Sequence, residues 1–292
     1  MFRPLRTLSI AIVLTAFPAL AAAADAPLPI AQAAPTPAPS ATPAGGLSDP
    51  CSGILSFVNR PTFSTGACSI KRGMVMIETG YLNQTTSGSG ANSTVTYPNG
   101  FVRAGVSKSL ELDFTPASYI STSGAPRANG ATDTTYGLKW EAGYTSKLTI
   151  GLSAAATLQT GSPAFTELGP SYNTSFNYTY ALTPVFGLFG SFAYSSLVGI
   201  NPAGGANQRF GSFAPSLGLT AALPGNQQLF AEYALIGSAG PNLGSRNLYD
   251  FGYQAVLSPR LMVDLEYGAS PTLIAGSKYS YVSGGISYLF IR

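Results

Sequence analysis

From Leu261 the chain alternates: Leu261, Val263, Leu265 and Tyr267 fall on one side, and Met262, Asp264, Glu266 and Gly268 on the other. Successive side chains of a strand point to opposite faces, so the pattern predicts a strand with one greasy and one acidic face. Residues 247–257 alternate in the same way, with Tyr249, Phe251, Tyr253 and Leu257 set against Asp250, Gly252 and Gln254. Only Ser258-Pro259-Arg260 separates these two runs, which predicts a tight hairpin. Residues 278–291 alternate again, with Val282, Ile286, Tyr288 and Phe290 on one side. The same module recurs back to about residue 70.

Taken along the chain, the pattern predicts twelve strands: 71–83, 98–108, 109–120, 133–146, 147–159, 172–183, 184–197, 210–223, 226–238, 246–257, 260–269 and 278–291. Each is long enough to cross a tilted barrel wall, which takes about 9–11 residues. The connections alternate in length. Short ones fall at 107–109, 146–147, 183–184, 224–226 and 258–260, and longer Gly/Ser/Asn/Pro-rich ones at 84–97, 121–132, 160–171, 198–209, 239–245 and 270–277. Short periplasmic turns alternating with longer extracellular loops are the mark of an outer-membrane barrel, and they place both barrel ends in the periplasm.

Composition sharpens the class. Charged residues are 9% of the chain and the mean hydropathy is +0.20, yet after residue 24 no run of roughly 18 apolar residues offers a membrane helix. Gly (33), Tyr (16) and Phe (16) are plentiful. An apolar, aromatic-rich chain built from strands suits a transmembrane β-barrel, in which every backbone group is satisfied between strands and the greasy face meets lipid. A soluble β-sandwich would carry more charge on its outer faces. The expected fold is therefore all-β, an antiparallel transmembrane barrel spanning 71–292. Its greasy faces include Tyr136, Leu138, Trp140 and Tyr144, then Phe176, Tyr178 and Tyr180.

The N-terminal quarter reads differently. Arg3 and Arg6 precede the apolar run 8–20, and Ala22 and Ala24 make a small-x-small cleavage site, so residues 1–24 read as a signal peptide rather than a membrane anchor. Residues 25–48 are almost wholly Ala, Pro, Ser, Thr and Gly and read as a disordered tether. Residues 49–70 hold the two cysteines, Cys51 and Cys68. In an exported chain these predict one disulfide. Two readings of that segment stay open: a periplasmic staple ahead of the first strand, or a plug folded into the barrel mouth.

Alternation also assigns the charges. Glu78, Glu111, Asp113, Glu141, Glu232, Asp250, Asp264 and Glu266 are expected to line the lumen, against Arg103, Lys139 and Arg260. Charge is costly on the lipid face, so inward placement follows from physics alone. Two roles fit these residues: ion pairs bracing a filled barrel, or the lining of an acidic pore that favours cations.

Little points to catalysis. The chain has no His, which removes the commonest general base and metal ligand. No phosphate-binding loop or metal-spaced cluster occurs, no cofactor is implied, and the scattered basic residues give no footprint for nucleic acid.

Leu138-Lys139-Trp140, the run 171–187, and Leu257-Ser258-Pro259-Arg260-Leu261 with Asp264 and Tyr267-Gly268 resemble the outer-membrane transporter family named for the meta-pathway of phenol degradation. The resemblance covers roughly residues 74–291. It implies a barrel of about this size that passes small, often aromatic or hydrophobic, compounds. The Cys51–Cys68 segment lies outside its pattern, and the chain ends Phe290-Ile291-Arg292 where such barrels commonly end on the aromatic residue.

The expectation is a monomeric channel for small solutes in the bacterial outer membrane. It would contact membrane lipid and be recognised by the barrel-assembly machinery through its C-terminal strand. A closed barrel that acts through its surface, and an anchor presenting the N-terminal segment, are the competing readings.

Overall fold

The computed structural model describes residues 49–124 and 127–291. The expected signal peptide (1–24) and tether (25–48) lie outside the described residues. One antiparallel sheet contains β1 (Met74–Gly88), β2 (Asn92–Tyr97), β3 (Phe101–Gly105), β4 (Leu110–Thr115), β5 (Tyr119–Ser123), β6 (Ala128–Ala131), β7 (Thr134–Tyr144) and β8 (Leu148–Leu158). It continues through β9 (Ser171–Ala181), β10 (Phe186–Ile200), β11 (Asn207–Leu223), β12 (Gln227–Ile236), β13 (Arg246–Ser258), β14 (Leu261–Ile274) and β15 (Ser277–Ile291). The sheet closes on itself because β1 pairs with β15 along its whole length, from Met74↔Ile291 to Gly88↔Ser277. Closure leaves no strand edge exposed to lipid.

The fifteen segments make twelve wall strands, since three strands are interrupted. β2 and β3, β4 and β5, and β6 and β7 are upper and lower halves of single strands. The upper halves pair as β1–β2, β2–β5 and β5–β6, and the lower halves as β1–β3, β3–β4 and β4–β7. Pro98 and Pro116 sit in the first two breaks, where their missing N–H groups would otherwise leave gaps in the ladder. Gly100 lets the chain rejoin β1, because a Cβ there would lie 1.9 Å from the Glu78 carbonyl oxygen.

The strand count and the short turns agree with the alternation. The long loops do not all survive. β1 and β2 run into the stretch expected as loop 84–97, β5 and β6 occupy most of 121–132, and the 270–277 loop shrinks to a turn at Ala275 and Gly276 (φ 49° and 78°). Both central residues having positive φ is the signature of a tight two-residue hairpin turn. These stretches are rich in Ser, Thr, Asn and Gly on both faces, so they carry no greasy stripe to read. Strands that project beyond the lipid need none, since their ladder bonds alone define them. Irregular connections remain at 159–170, 201–206 and 237–245.

The two faces of the wall are chemically opposite. Outward positions such as Trp140, Phe251 and Leu265 are exposed, Leu265 by 62%, as befits a surface that meets hydrocarbon. The neighbouring inward position Glu266 is only 8% exposed. For a charged group that low figure requires something inside the barrel to cover it.

Candidate functional site: the occupied lumen

The covering element is the disulfide-closed segment itself. Residues 51–70 are almost all buried, and Cys51 and Cys68 form the expected disulfide with Cα atoms 5.4 Å apart. The apolar residues Ile54, Phe57 and Val58 explain where the segment goes. A one-turn helix, α1 (Ile54–Phe57), packs with Val58, Ile70 and both cysteines against the inward-facing Met76, Met262 and Leu289. These wall residues lie at the turn end of their strands, so α1 fills that end of the barrel. The chain then rises along the lumen to a tip at 62–65 and returns beside the opposite wall. Where a staple outside the barrel was one expectation, the contacts place the segment among the wall's charges.

Those charges grip the segment by its backbone. Glu78 accepts hydrogen bonds from the Asn59 and Arg60 amides, both at 2.8 Å. Glu232 accepts from the amides of Phe63 (2.7 Å) and Ser64 (3.0 Å) and from the Ser64 hydroxyl. Glu111 takes the Ile70 amide and Glu141 the Ser69 amide, the latter at 3.3 Å. On the donor side, Arg103 gives a hydrogen bond to the Phe57 carbonyl, and Gln254 Nε2 to the Arg60 carbonyl at 2.7 Å. A loop crossing a dry interior must have its backbone polar groups satisfied, and the wall side chains supply partners for much of it.

Arg103 is the hub of the ionic network. Fully enclosed, it pairs with Glu78 at 2.9 Å and Glu111 at 2.7 Å, and its Nε lies 3.7 Å from Asp113. Lys139, also fully enclosed, lies 3.2 Å from Glu111 and donates to the Asn59 side chain at 2.9 Å. The segment adds cations of its own. Arg60 pairs with Asp264 at 3.3 Å and donates to Ser283 at 2.7 Å, while Lys71 joins Glu141 (2.8 Å) to Asp49 (3.0 Å). Asp250 and Glu266 share the Tyr281 hydroxyl, which reaches Glu266 at 3.1 Å.

Of the residues expected to line the lumen, the structure brings Glu78, Arg103, Glu111, Asp113, Lys139, Glu141, Glu232, Asp250, Asp264 and Glu266 to the inner face. Arg260 is different: it sits exposed in the turn between β13 and β14, outside the wall strand to which alternation assigned it. Sequence reasoning missed Asn59, Arg60, Lys71, Gln254 and Tyr281. The readable signal was Arg60 among Ile54, Phe57 and Val58 inside the cysteine-bounded stretch, with Lys71 just beyond its end. Among the described residues the one grouping with metal-ligand proximity is Cys51, Cys68 and Glu141, and its sulfurs are bonded to each other.

No protein-family model and no curated sequence matches the chain. Solved structures do. An outer-membrane channel from Pseudomonas putida F1 aligns with TM-score 0.60 and 12% identity, covering 77% of this chain and 98% of that one. The NanC porin aligns with TM-score 0.49 and 10% identity over 73% of this chain and 98% of its own. The CymD monoaromatic hydrocarbon channel gives TM-score 0.40 and 12% identity, covering 76% and 89%. The fold is thus that of the outer-membrane β-barrels, in a twelve-stranded closed form with an internal loop.

Proposed function

We propose that the protein is an outer-membrane channel for passive passage of small molecules, with its own N-terminal loop acting as the gate. The observation that carries this reading is the side-chain grip on the loop backbone from Glu78, Glu111 and Glu232. A barrel braced only for rigidity would be filled from its wall strands. Here the filling is a separate segment, joined to the barrel at one end through Lys71 and Arg72 and closed by a single disulfide. The acidic residues that could brace a filled barrel or line a cation-selective pore are largely engaged by the loop, so selectivity depends on whether the loop is seated.

Twelve strands make a barrel wider than the eight whose interior side chains fill and narrower than the sixteen of an open porin. A loop of about twenty residues is the natural size of obstacle for that intermediate bore. The reading includes export by a cleaved signal peptide, insertion through the C-terminal strand, a monomeric state and kinship with the phenol meta-pathway transporter family.

Swelling of liposomes containing the refolded mature protein tests it. Uptake of small neutral solutes above that of empty liposomes is expected, rising when Cys51→Ser and Cys68→Ser are combined. Correctly folded barrels that never admit solute, with or without the disulfide, would favour the closed structural barrel instead.

A further inference from the structure

The lumen beside the loop has two unlike halves. In front of β10 to β15 it is filled: Phe63 at the loop tip packs with Leu197, Ile236, Leu248 and Tyr279. In front of β8 and β9 the inward side chains are small, and a cavity open to solvent separates the wall from Asn59 and Thr65 of the loop. Small-molecule sites are mostly apolar with a few placed polar groups. This one sets a row of hydroxyls and amides, among them Thr135, Ser153, Thr157 and Asn173, beside apolar surface from Phe101, Leu138 and Leu197.

Two features go beyond the polarity any barrel lumen shows. The hydroxyl rows are pre-ordered by bonds across strands: Thr135 to Thr157 at 2.7 Å, and Asn173 Nδ2 to Ser195 at 2.9 Å. Each hydroxyl oxygen retains hydrogen-bonding capacity beyond these contacts. Second, the cavity joins a carboxylate to an aromatic ring. Asp113 and Phe101 both line it. Asp113 sits opposite Arg103 in the ladder, and Phe101 is two residues from Arg103 on the same face, so ring and carboxylate are diagonal neighbours. Arg103 Nε lies 3.7 Å from Asp113.

A ring that covers C–H groups beside a carboxylate that accepts from adjacent hydroxyls is the chemistry of polyol recognition. We propose that this cavity binds a neutral, polyhydroxylated solute of monosaccharide size, with Asp113 and Phe101 as its principal contacts. The site deepens the channel reading and rests on it for its place on a solute path. Binding itself requires only the folded barrel. An aromatic hydrocarbon would leave the hydroxyls and the carboxylate without partners, which disfavours it. An anionic sugar would meet Asp113 with like charge.

Equilibrium dialysis of the refolded, full-length mature protein in detergent, with radiolabelled glucose, galactose and sorbitol each tested alone and phenol as contrast, reads the site directly. Saturable binding of at least one polyol and none of phenol is expected. Asp113→Asn should weaken it about tenfold, the loss of a charge-assisted hydrogen bond, and Phe101→Leu several-fold. Gly143→Ala, where an added Cβ meets nothing within 4 Å, should leave it unchanged. A heat-dependent shift in electrophoretic mobility shows that each variant is folded. Failure of all three polyols to bind, phenol binding in their place, or polyol binding indifferent to both substitutions would overturn the site. Liposome uptake is scored separately: binding without uptake overturns the channel, and uptake without binding overturns the site alone.

Discussion

Glu232, in the middle of β12, accepts the Phe63 amide at 2.7 Å, tying the wall to a loop residue 169 positions earlier in the chain. Together with the bond from Ser64 N at 3.0 Å, it holds the loop tip against the wall. Glu232→Ala leaves two buried amides without their acceptor, a cost of about 1–3 kcal/mol for each group. The substitution should therefore free the tip and spare the wall. Hydrogen exchange of residues 62–65 is expected to accelerate at least tenfold while strand amides stay protected. Unchanged exchange at the tip would show that Phe63 packing holds it without Glu232.

Arg103 touches Glu78, Glu111 and the Phe57 carbonyl with no solvent exposure of its own. Removing one partner of a buried ionic network costs about 3–5 kcal/mol, because the remaining charges are left uncompensated. Arg103→Met is expected to lower the urea midpoint more than Arg260→Met, since Arg260 is exposed in a turn. Fluorescence of the single tryptophan, Trp140, follows both transitions. Equal midpoints for the two variants would contradict the hub role.

At Gly151 the returning limb of the loop presses on the wall. A Cβ added there would stand 2.5 Å from the Ala67 carbonyl oxygen, a backbone atom that cannot move without moving the loop. Gly151→Val suits a strand and its Cβ meets the Ala67 backbone, so it should unseat residues 65–69 and raise solute uptake into liposomes. Val accommodated with wild-type uptake would mean that the limb yields without opening a path.

The connection between β8 and β9 is organised by Asp133, which accepts from Thr160 N at 2.8 Å, Gly161 N at 2.6 Å, the Thr166 hydroxyl at 2.8 Å and Glu167 N at 2.7 Å. Beside it lies Glu167, 8% exposed. Burial pushes its carboxyl from 4.5 up to about 7, with Ser171 opposing and the Asp133 charge assisting. A carboxyl with a raised folded pKa binds protons more tightly when folded, so its contribution to stability is complete below 4.5 and is lost as pH rises towards and through about 7. After correction for intrinsic exchange, amides 160–168 should be better protected at pH 5 than at pH 8. Glu167→Gln should remove the difference, and a persistent pH dependence in that variant would assign it to another group.

The wall was legible because lipid enforces a simple rule on it. Leu261, Val263, Leu265 and Tyr267 had to face hydrocarbon, which forced Asp264 and Glu266 inward, and the same logic placed Arg103 and Lys139. The extended strands around Thr85, Thr94 and Thr122 were hidden because segments beyond the lipid have no face that must be greasy. The seat of the 51–70 loop was hidden for another reason. Its partners are backbone amides, which leave no mark in a sequence, so Glu78 and Glu232 look the same whether they line water or hold a loop. Arg260 failed the alternation because a residue in a tight turn belongs to neither face.

Single-channel conductance in a planar bilayer tests the gate most directly, comparing the mature protein with a variant lacking residues 52–67. The full chain is expected to show small or infrequent openings. The variant should show larger, steady, cation-selective ones, as Glu78, Glu232 and Asp264 lose the residues that engage them. Equal conductance and selectivity in the two proteins would contradict the claim that this loop controls the pore.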